Sequence, residues 1–248
     1  MFTPEDRRHL KEALIDRAHD DERVVGAALL GSSSTCAEDK WSDIDLALVV
    51  RSDRVDDAID DWTTVMYEAH RAVHHFDVRW KTTLYRVFLL DNTLQVDLSF
   101  WTSEEFVATG PRFRLLFGEP PAQYPREKRP SEAIIGEAWL YLLHARSSLA
   151  RRRYWQANYM IGGVRDHVVE LACRRHDLRT DDARGVDDLP AALLDDYASM
   201  IPPTLGELDL RKAFGATTAR LTNEAHHINP ELAERIRETL ETIGSSVA

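Results

Sequence analysis

Two short apolar runs, separated by a polar loop, are the clearest pattern near the start of the chain. Val24–Leu30 and Ile44–Val50 both have the length and composition of β-strands. The small residues Gly31–Ser34 follow the first run and predict a turn. Because side chains alternate along a strand, Asp43 and Asp45, where the second run begins, are expected to point to one face.

Further elements follow from the same periodicities in the first half of the chain. A first helix is predicted over Pro4–Asp20, with Thr3 as its N-cap and Pro4 at its first position. The next pattern predicts a crossover helix over Val55–Ala72. Three strands are predicted over Phe76–Trp80, Leu84–Leu90 and Leu94–Phe100, and a short helix with a turn over Thr102–Leu116. We therefore expect a mixed sheet of about five strands with helices on one side.

The pattern changes after a stretch rich in proline and charge. Residues 119–130 (EPPAQYPREKRP) disfavour both helix and strand and predict a linker. Beyond it the apolar spacing is helical, with helices expected over Ser131–Arg153, Trp155–Arg175, Leu189–Met200, Leu208–Ile228 and Pro230–Ile243. The predicted fold class is α+β, with a sheet domain at 1–118, the linker at 119–130 and a C-terminal helical bundle at 131–248.

The composition of the chain disfavours some classes of substrate and some cellular locations. The 248 residues carry a formal net charge of −11, which disfavours a long nucleic acid as substrate, since such binding relies on neutralising phosphates. No apolar run approaches a membrane span and the N-terminus does not resemble a signal peptide, so we expect a cytoplasmic protein without a membrane partner. Cys36 and Cys173 lack metal or redox spacing and are interpreted as reduced thiols.

The two acids at the start of the second run suggest metal chemistry. Paired carboxylates on one face repel unless a proton or a cation lies between them, so Asp43 and Asp45 favour a hard divalent ion such as Mg²⁺. Gly31 permits close approach of the backbone to a ligand, and Ser32 offers donors to phosphate oxygens. Asp97, within the apolar run Leu94–Phe100, either faces solvent or joins a charged site. The alternative for the pair is a turn with solvated acids.

Together, Gly31-Ser32, Asp43 and Asp45, and the later Asp97 resemble the signature of the nucleotidyltransferase superfamily, the DNA polymerase β-like enzymes. That signature is GS, then DxD, then a third carboxylate on a strand. The resemblance covers the first half of the chain. More loosely, the helical second half resembles the accessory domain of antibiotic (aminoglycoside and lincosamide) nucleotidyltransferases.

The resemblance implies transfer of an NMP group from an NTP, with ATP the expected donor, to a hydroxyl of a small, aminoglycoside-like acceptor. It implies two Mg²⁺ ions held by Asp43, Asp45 and Asp97, contact of Ser32 with the triphosphate, and a role for Asp97 in orienting or deprotonating the acceptor. Glu170, on a predicted helix, is the candidate for an additional general base, the alternative being an ordinary ion-pair ladder with nearby arginines. A second hypothesis is a non-catalytic or protein-directed nucleotidyltransferase-like partner of the toxin–antitoxin type. The sequence does not determine the oligomeric state.

Overall fold

The chain forms two compact units, Met1–Arg126 and Glu127–Ala248. The computed structural model describes residues 1–35, 37–108, 110, 112–123 and 129–246. Cys36 lies outside the described residues, as does the central part of the predicted linker, residues 124–128. The division between the units falls within the segment predicted as linker.

The first unit is a sheet with helices. Its helices are α1 (Pro4–Asp20), the short α2 (Gly31–Ser34) and α3 (Val55–Glu68). Its strands are β1 (Val24–Leu30), β2 (Ile44–Val50), β3 (Ala72–Trp80), β4 (Thr83–Leu90), β5 (Gln95–Trp101), β6 (Val107–Ala108), β7 (Phe113–Phe117) and β8 (Ala122–Gln123).

Six of these strands form one mixed sheet in the order β3-β4-β5-β2-β1-β7. Strands β2 and β5 are parallel, whereas the other neighbouring pairs are antiparallel. Strands β6 and β8 form a separate parallel pair. The predicted α+β class is confirmed, and β2 and β5 lie side by side although two strands separate them in sequence.

One face of the sheet packs against α1 and α3. The alternate residues Ile44, Leu46, Leu48 and Val50 of β2 are buried in this core, as the period of two in their spacing requires. Helix α1 begins with a capping box in which Thr3 Oγ1 accepts from the Asp6 backbone N–H at 3.1 Å and the Asp6 carboxylate accepts from the Thr3 N–H. The predicted start of α1 is confirmed.

The opposite face carries a smaller aromatic core and is more open. Ala47, Val49, Trp101 and Phe106 are buried there, and the Trp101 indole N–H donates to Ser99 Oγ at 2.9 Å. This cluster covers the carboxyl-terminal parts of β2 and β5. The beginnings of the same two strands carry acidic residues instead.

The β3–β4 hairpin carries charged side chains on one face and exposed apolar side chains on the other. Arg86 on β4 donates to Asp77 on β3 at 2.7 Å and to Thr63 on α3 at 2.6 Å, so these charges lie on the helix-covered face. Phe76 and Val78 alternate with Asp77 and are 55% and 48% exposed. Strand β3, at the edge of the sheet, therefore presents apolar side chains on its open face.

Several predicted features of this unit differ from those observed, including the number of strands in the main sheet, which is six rather than about five. The predicted helix and turn over Thr102–Leu116 is wrong, because β6 and β7 occupy this stretch and β7 pairs with β1. The helix predicted to reach Ala72 ends at Glu68. Arg71, with φ +59°, adopts a left-handed conformation that interrupts a right-handed helix, and β3 starts at Ala72.

The second unit is helical. It consists of α4 (Ser131–Ala150), α5 (Tyr154–Arg175), α6 (Ala191–Ala198), α7 (Glu207–Ile228) and α8 (Pro230–Ser245), so the five predicted helices are present. Glu224 is 2% exposed and accepts from Arg175 at 2.7 Å and from the Tyr197 hydroxyl at 2.6 Å. Cys173 is a buried free thiol. Among the described residues, no helix combines the length and apolarity needed to cross a bilayer.

Candidate functional site

Three aspartates meet on the open face of the sheet. Asp43 immediately precedes β2, Asp45 is its second residue, and Asp97 lies on β5. Asp45 is the direct partner of Asp97 in the parallel ladder, which places their side chains on the same face. One carboxylate oxygen from each of the three lies within 4.8 Å of those of the other two. The structure thus brings together all three acids that the sequence analysis selected.

The environment of Asp97 makes its ionised form costly. Burial raises the pKa of Asp97 to about 6, and the neighbouring charge of Asp43 adds to this, while a hydrogen bond from Gln95 opposes it. The Gln95 amide donates to both Asp97 oxygens, at 3.0 and 3.1 Å. A carboxylate in this situation is stabilised by any cation that binds beside it.

The sequence analysis did not identify Gln95 as a residue of the site, although its spacing from Asp97 could have indicated it. It stands two residues before Asp97, at the start of the same strand. Because residues two apart share a face of a strand, a polar residue at this spacing is expected beside the carboxylate. Gln95 fixes the orientation of the Asp97 carboxylate through its paired contacts.

The Gly31-Ser32 turn borders the acids directly. Gly31 has φ +57°, and a Cβ atom built on it would overlap the Oδ2 atom of Asp45. Glycine is therefore required here for two reasons, the left-handed backbone and the close approach of a carboxylate. The turn forms the short helix α2, in which the Ser34 hydroxyl donates to the Gly31 carbonyl at 2.8 Å.

Glu170, the candidate additional base, lies on α5 in the helical unit. Its Oε1 accepts from Arg174 at 2.8 Å, and its other oxygen lies 3.9 Å from Nδ1 of His167. Burial lowers the pKa of His167. Glu170 thus has a basic partner one turn away, which is the ion-pair arrangement considered as the alternative in the sequence analysis.

The donor set of the three aspartates suits a hard divalent cation. Mg²⁺ and Ca²⁺ prefer carboxylate oxygens, and the three oxygens are gathered in a space of the size such an ion needs. A cation here would compensate the repulsion between Asp43 and Asp97 that contributes to the raised pKa. Asp43, Asp45 and Asp97 are therefore chemically suited to hold a metal ion.

Comparison with known proteins finds a similarity among solved structures but none among family models or curated sequences. No protein-family model matches the sequence, and no curated protein matches it. Among solved structures, the chain is similar to an aminoglycoside 6-adenyltransferase from Bacillus subtilis, with a TM-score of 0.42 and 14% identity over 97% of this chain and 98% of that one. At this distance the similarity transfers neither a residue role nor an activity.

Proposed function

We propose that this chain is a metal-dependent nucleotidyltransferase. It would move an NMP group from an NTP, with ATP the expected donor, to a hydroxyl of a small, aminoglycoside-like acceptor. The observation that carries the proposal is the meeting of Asp43, Asp45 and Asp97 oxygens within 4.8 Å of one another, beside a glycine turn that contacts Asp45.

Each residue of the site has a proposed task. Asp43, Asp45 and Asp97 hold Mg²⁺, two ions being the number implied by the resemblance. Gly31 lets the backbone come close to Asp45 and to the donor, and Ser32 contacts the triphosphate. Asp97, fixed by Gln95, orients the acceptor hydroxyl or accepts its proton.

The reaction makes one bond and breaks another. The acceptor oxygen forms a bond to the α-phosphorus, the bond from that phosphorus to the bridging oxygen breaks, and pyrophosphate leaves. Bound Mg²⁺ supplies positive charge that offsets the charge on the phosphate oxygens. The carboxylates position this charge, and the hydroxyl proton passes to Asp97 or to solvent.

Asp45→Asn tests the proposal, because the amide keeps the shape of the side chain and removes its charge. We expect the variant to melt close to wild type but to bind Mg²⁺–ATP at least about tenfold more weakly, since it loses an ionic ligand. Pyrophosphate release in a screen of small hydroxyl acceptors should fall by at least about 100-fold, the scale seen when one charge-stabilising group is lost. Calorimetric titration and a pyrophosphate assay give the two measurements.

Asp53→Asn is the matched control, because Asp53 lies in the same unit with a side chain 67% exposed. It should behave as wild type in both measurements. Wild-type affinity for Mg²⁺–ATP in Asp45→Asn would rule out the assigned metal site. Binding of Mg²⁺–ATP without turnover of any acceptor would instead favour the non-catalytic or protein-directed alternative. The role of Glu170 as general base stays a prediction.

A further inference from the structure

Helix α1 contacts the loop that carries the candidate site through a charged network. Lys11 on α1 donates to both oxygens of Glu38, at 2.7 Å each. Glu38 in turn accepts from the Ser33 hydroxyl. Ser33 is 2% exposed and directly follows Ser32, so a continuous chain of contacts runs from α1 to the glycine turn.

Arg7, one helical turn before Lys11, holds the other end of the same loop. Its guanidinium donates to the backbone carbonyl of Asp39 and to that of Ser42 at 3.2 Å. Ser42 directly precedes Asp43. Arg7 is 5% exposed, and a buried guanidinium requires such partners because an uncompensated buried charge is costly.

The loop between these anchors is short and internally bonded. The backbone N–H of Trp41 donates to the Asp39 carboxylate at 2.8 Å. The amides of Thr35 and Ala37 both donate to the Ser32 carbonyl, at 3.3 and 3.2 Å. The contacts from α1 and Glu38 to Ser33, Asp39 and Ser42 therefore fix the two ends of this loop relative to each other.

We propose that Arg7, Lys11 and Glu38 form a brace that positions the Gly31-Ser32 turn against Asp43 for binding of a metal–nucleoside triphosphate. These three are positioning residues that act through Ser33 and Ser42. The ligand part of the inference rests on the proposed function, whereas the ordering of the loop does not.

The charge state of Glu38 agrees with such a brace. Burial by itself raises the pKa of Glu38, but hydrogen bonds from Lys11 and Ser33 outweigh it and leave the pKa below its ordinary value. Glu38 is therefore ionised at neutral pH and attracts Lys11 and Arg7, whose Nε lies 3.8 Å from the carboxylate. The bond from Ser33 then couples this charge cluster to the turn.

Glu38→Ala and Glu38→Gln test the brace, and Asp61→Asn is the control for loss of a carboxylate charge elsewhere in the same unit. Asp61 on α3 pairs with Arg17 at 2.7 Å and Arg23 at 2.6 Å, so its amide weakens a comparable network that does not contact the loop. Glu38→Gln, which can still accept from Ser33, should show a smaller effect than Glu38→Ala and covers the case in which Glu38→Ala fails to fold.

Two measurements are needed, one of which does not depend on binding of Mg²⁺–ATP. Hydrogen exchange at the amides of Thr35 and Ala37 should be at least about tenfold faster in Glu38→Ala and unchanged in Asp61→Asn. The dissociation constant for Mg²⁺–ATP should rise by about tenfold or more in Glu38→Ala, the scale expected when hydrogen bonds to a charged group are lost. The Asp61→Asn variant should bind as wild type does.

Unchanged exchange at Thr35 and Ala37 in Glu38→Ala would overturn the brace, and so would faster exchange with wild-type affinity for Mg²⁺–ATP. If the wild-type protein binds no Mg²⁺–ATP, the proposed function fails. The exchange measurement alone then decides whether Glu38 orders the loop.

Discussion

Ionising Asp97 costs the folded protein free energy, because burial raises its pKa from an ordinary 3.8 to about 6. Between these two values the folded state binds more protons than the unfolded state. The free energy of unfolding therefore falls as the pH rises from about 4 to about 6, and the loss is complete above that range. A metal ion beside the carboxylate would restore the stability, because it binds only the folded site.

Asp97→Asn should remove this cost. At pH 7.5 without metal we expect the variant to be more stable than wild type by roughly 1–3 kcal/mol, the free energy equivalent to the rise in pKa. Near pH 4 the difference should vanish. Thermal melts at the two pH values measure this, and the added stability from Mg²⁺–ATP should be smaller in the variant.

An exposed carboxylate would give a different result: melting temperatures equal to wild type at both pH values and an unchanged response to Mg²⁺–ATP. Full transfer activity in Asp97→Asn would contradict its proposed part in orienting or deprotonating the acceptor.

At the residue scale, local spacing predicts only part of the site. The shared face of Asp43 and Asp45 follows from strand alternation alone. The pairing of Asp45 with Asp97 requires the parallel register of β2 and β5, which no local pattern encodes. The acid within an apolar run drew attention to Asp97 but left open whether it faces solvent, and the family resemblance assigned it to the site. The contacts of Arg7 with the loop join distant segments and were not predicted.

At the scale of elements, the short helix α2 contacts the site through one glycine, Gly31, which lies against Asp45. Gly31→Ala would introduce both a strained positive φ and an overlap with Asp45 Oδ2. We expect a loss of about 1–2 kcal/mol from the left-handed backbone. Because the Asp45 carboxylate must move, Mg²⁺–ATP binding should weaken by at least about tenfold. Thermal melts and calorimetric titration measure the two effects.

Gly215→Ala is the control, and it should change the stability of the protein in the opposite direction. Gly215 lies within α7, and a Cβ there would meet no atom within 4 Å. The change should stabilise the protein by up to about 1 kcal/mol, because alanine has the higher helix propensity, and leave Mg²⁺–ATP binding unchanged. If Gly31→Ala bound Mg²⁺–ATP as wild type does, the turn would not constrain Asp45.

Elements with clear boundaries in the sequence were predicted well. Strands β1 and β2 have the bounds that their apolar runs indicated, because turn residues and charges enclose both runs. The helix and turn predicted over Thr102–Leu116 include most of the stretch that forms β7. Its short apolar run suits either structure, and its pairing with β1, far away in sequence, decides between them.

At the scale of the whole molecule, the change in periodicity predicts the helical second half that the structure contains, but the burial of a charged residue inside it could not be predicted. Glu224 follows a helical pattern in which a glutamate usually faces solvent. It is instead buried with Arg175 and Tyr197, whose positions depend on how α5, α6 and α7 pack. Charges satisfied by distant partners leave no local signal in the sequence.

The exposed edge of the sheet affects how readily separate molecules associate. Strand β3 carries Phe76 and Val78 on its open face at the edge of the six-stranded sheet. Unpaired edge strands with apolar side chains can pair with the same strand of another molecule. The irregularity in pairing between Ala72 and His74 shortens the regular edge and limits such pairing.

Where molecules of this protein aggregate in concentrated solution, the regular part of β3, which carries Phe76 and Val78, is the expected starting point. Val78→Lys is expected to slow the growth of light scattering on mild heating while changing the free energy of unfolding by less than about 0.5 kcal/mol, as is usual for surface changes. Leu208→Lys is the comparison, because Leu208 is 64% exposed but lies on helix α7. Equal slowing by both variants would assign the effect to added charge, whereas slowing by Val78→Lys alone would identify the edge strand as the segment that limits the solubility of this protein.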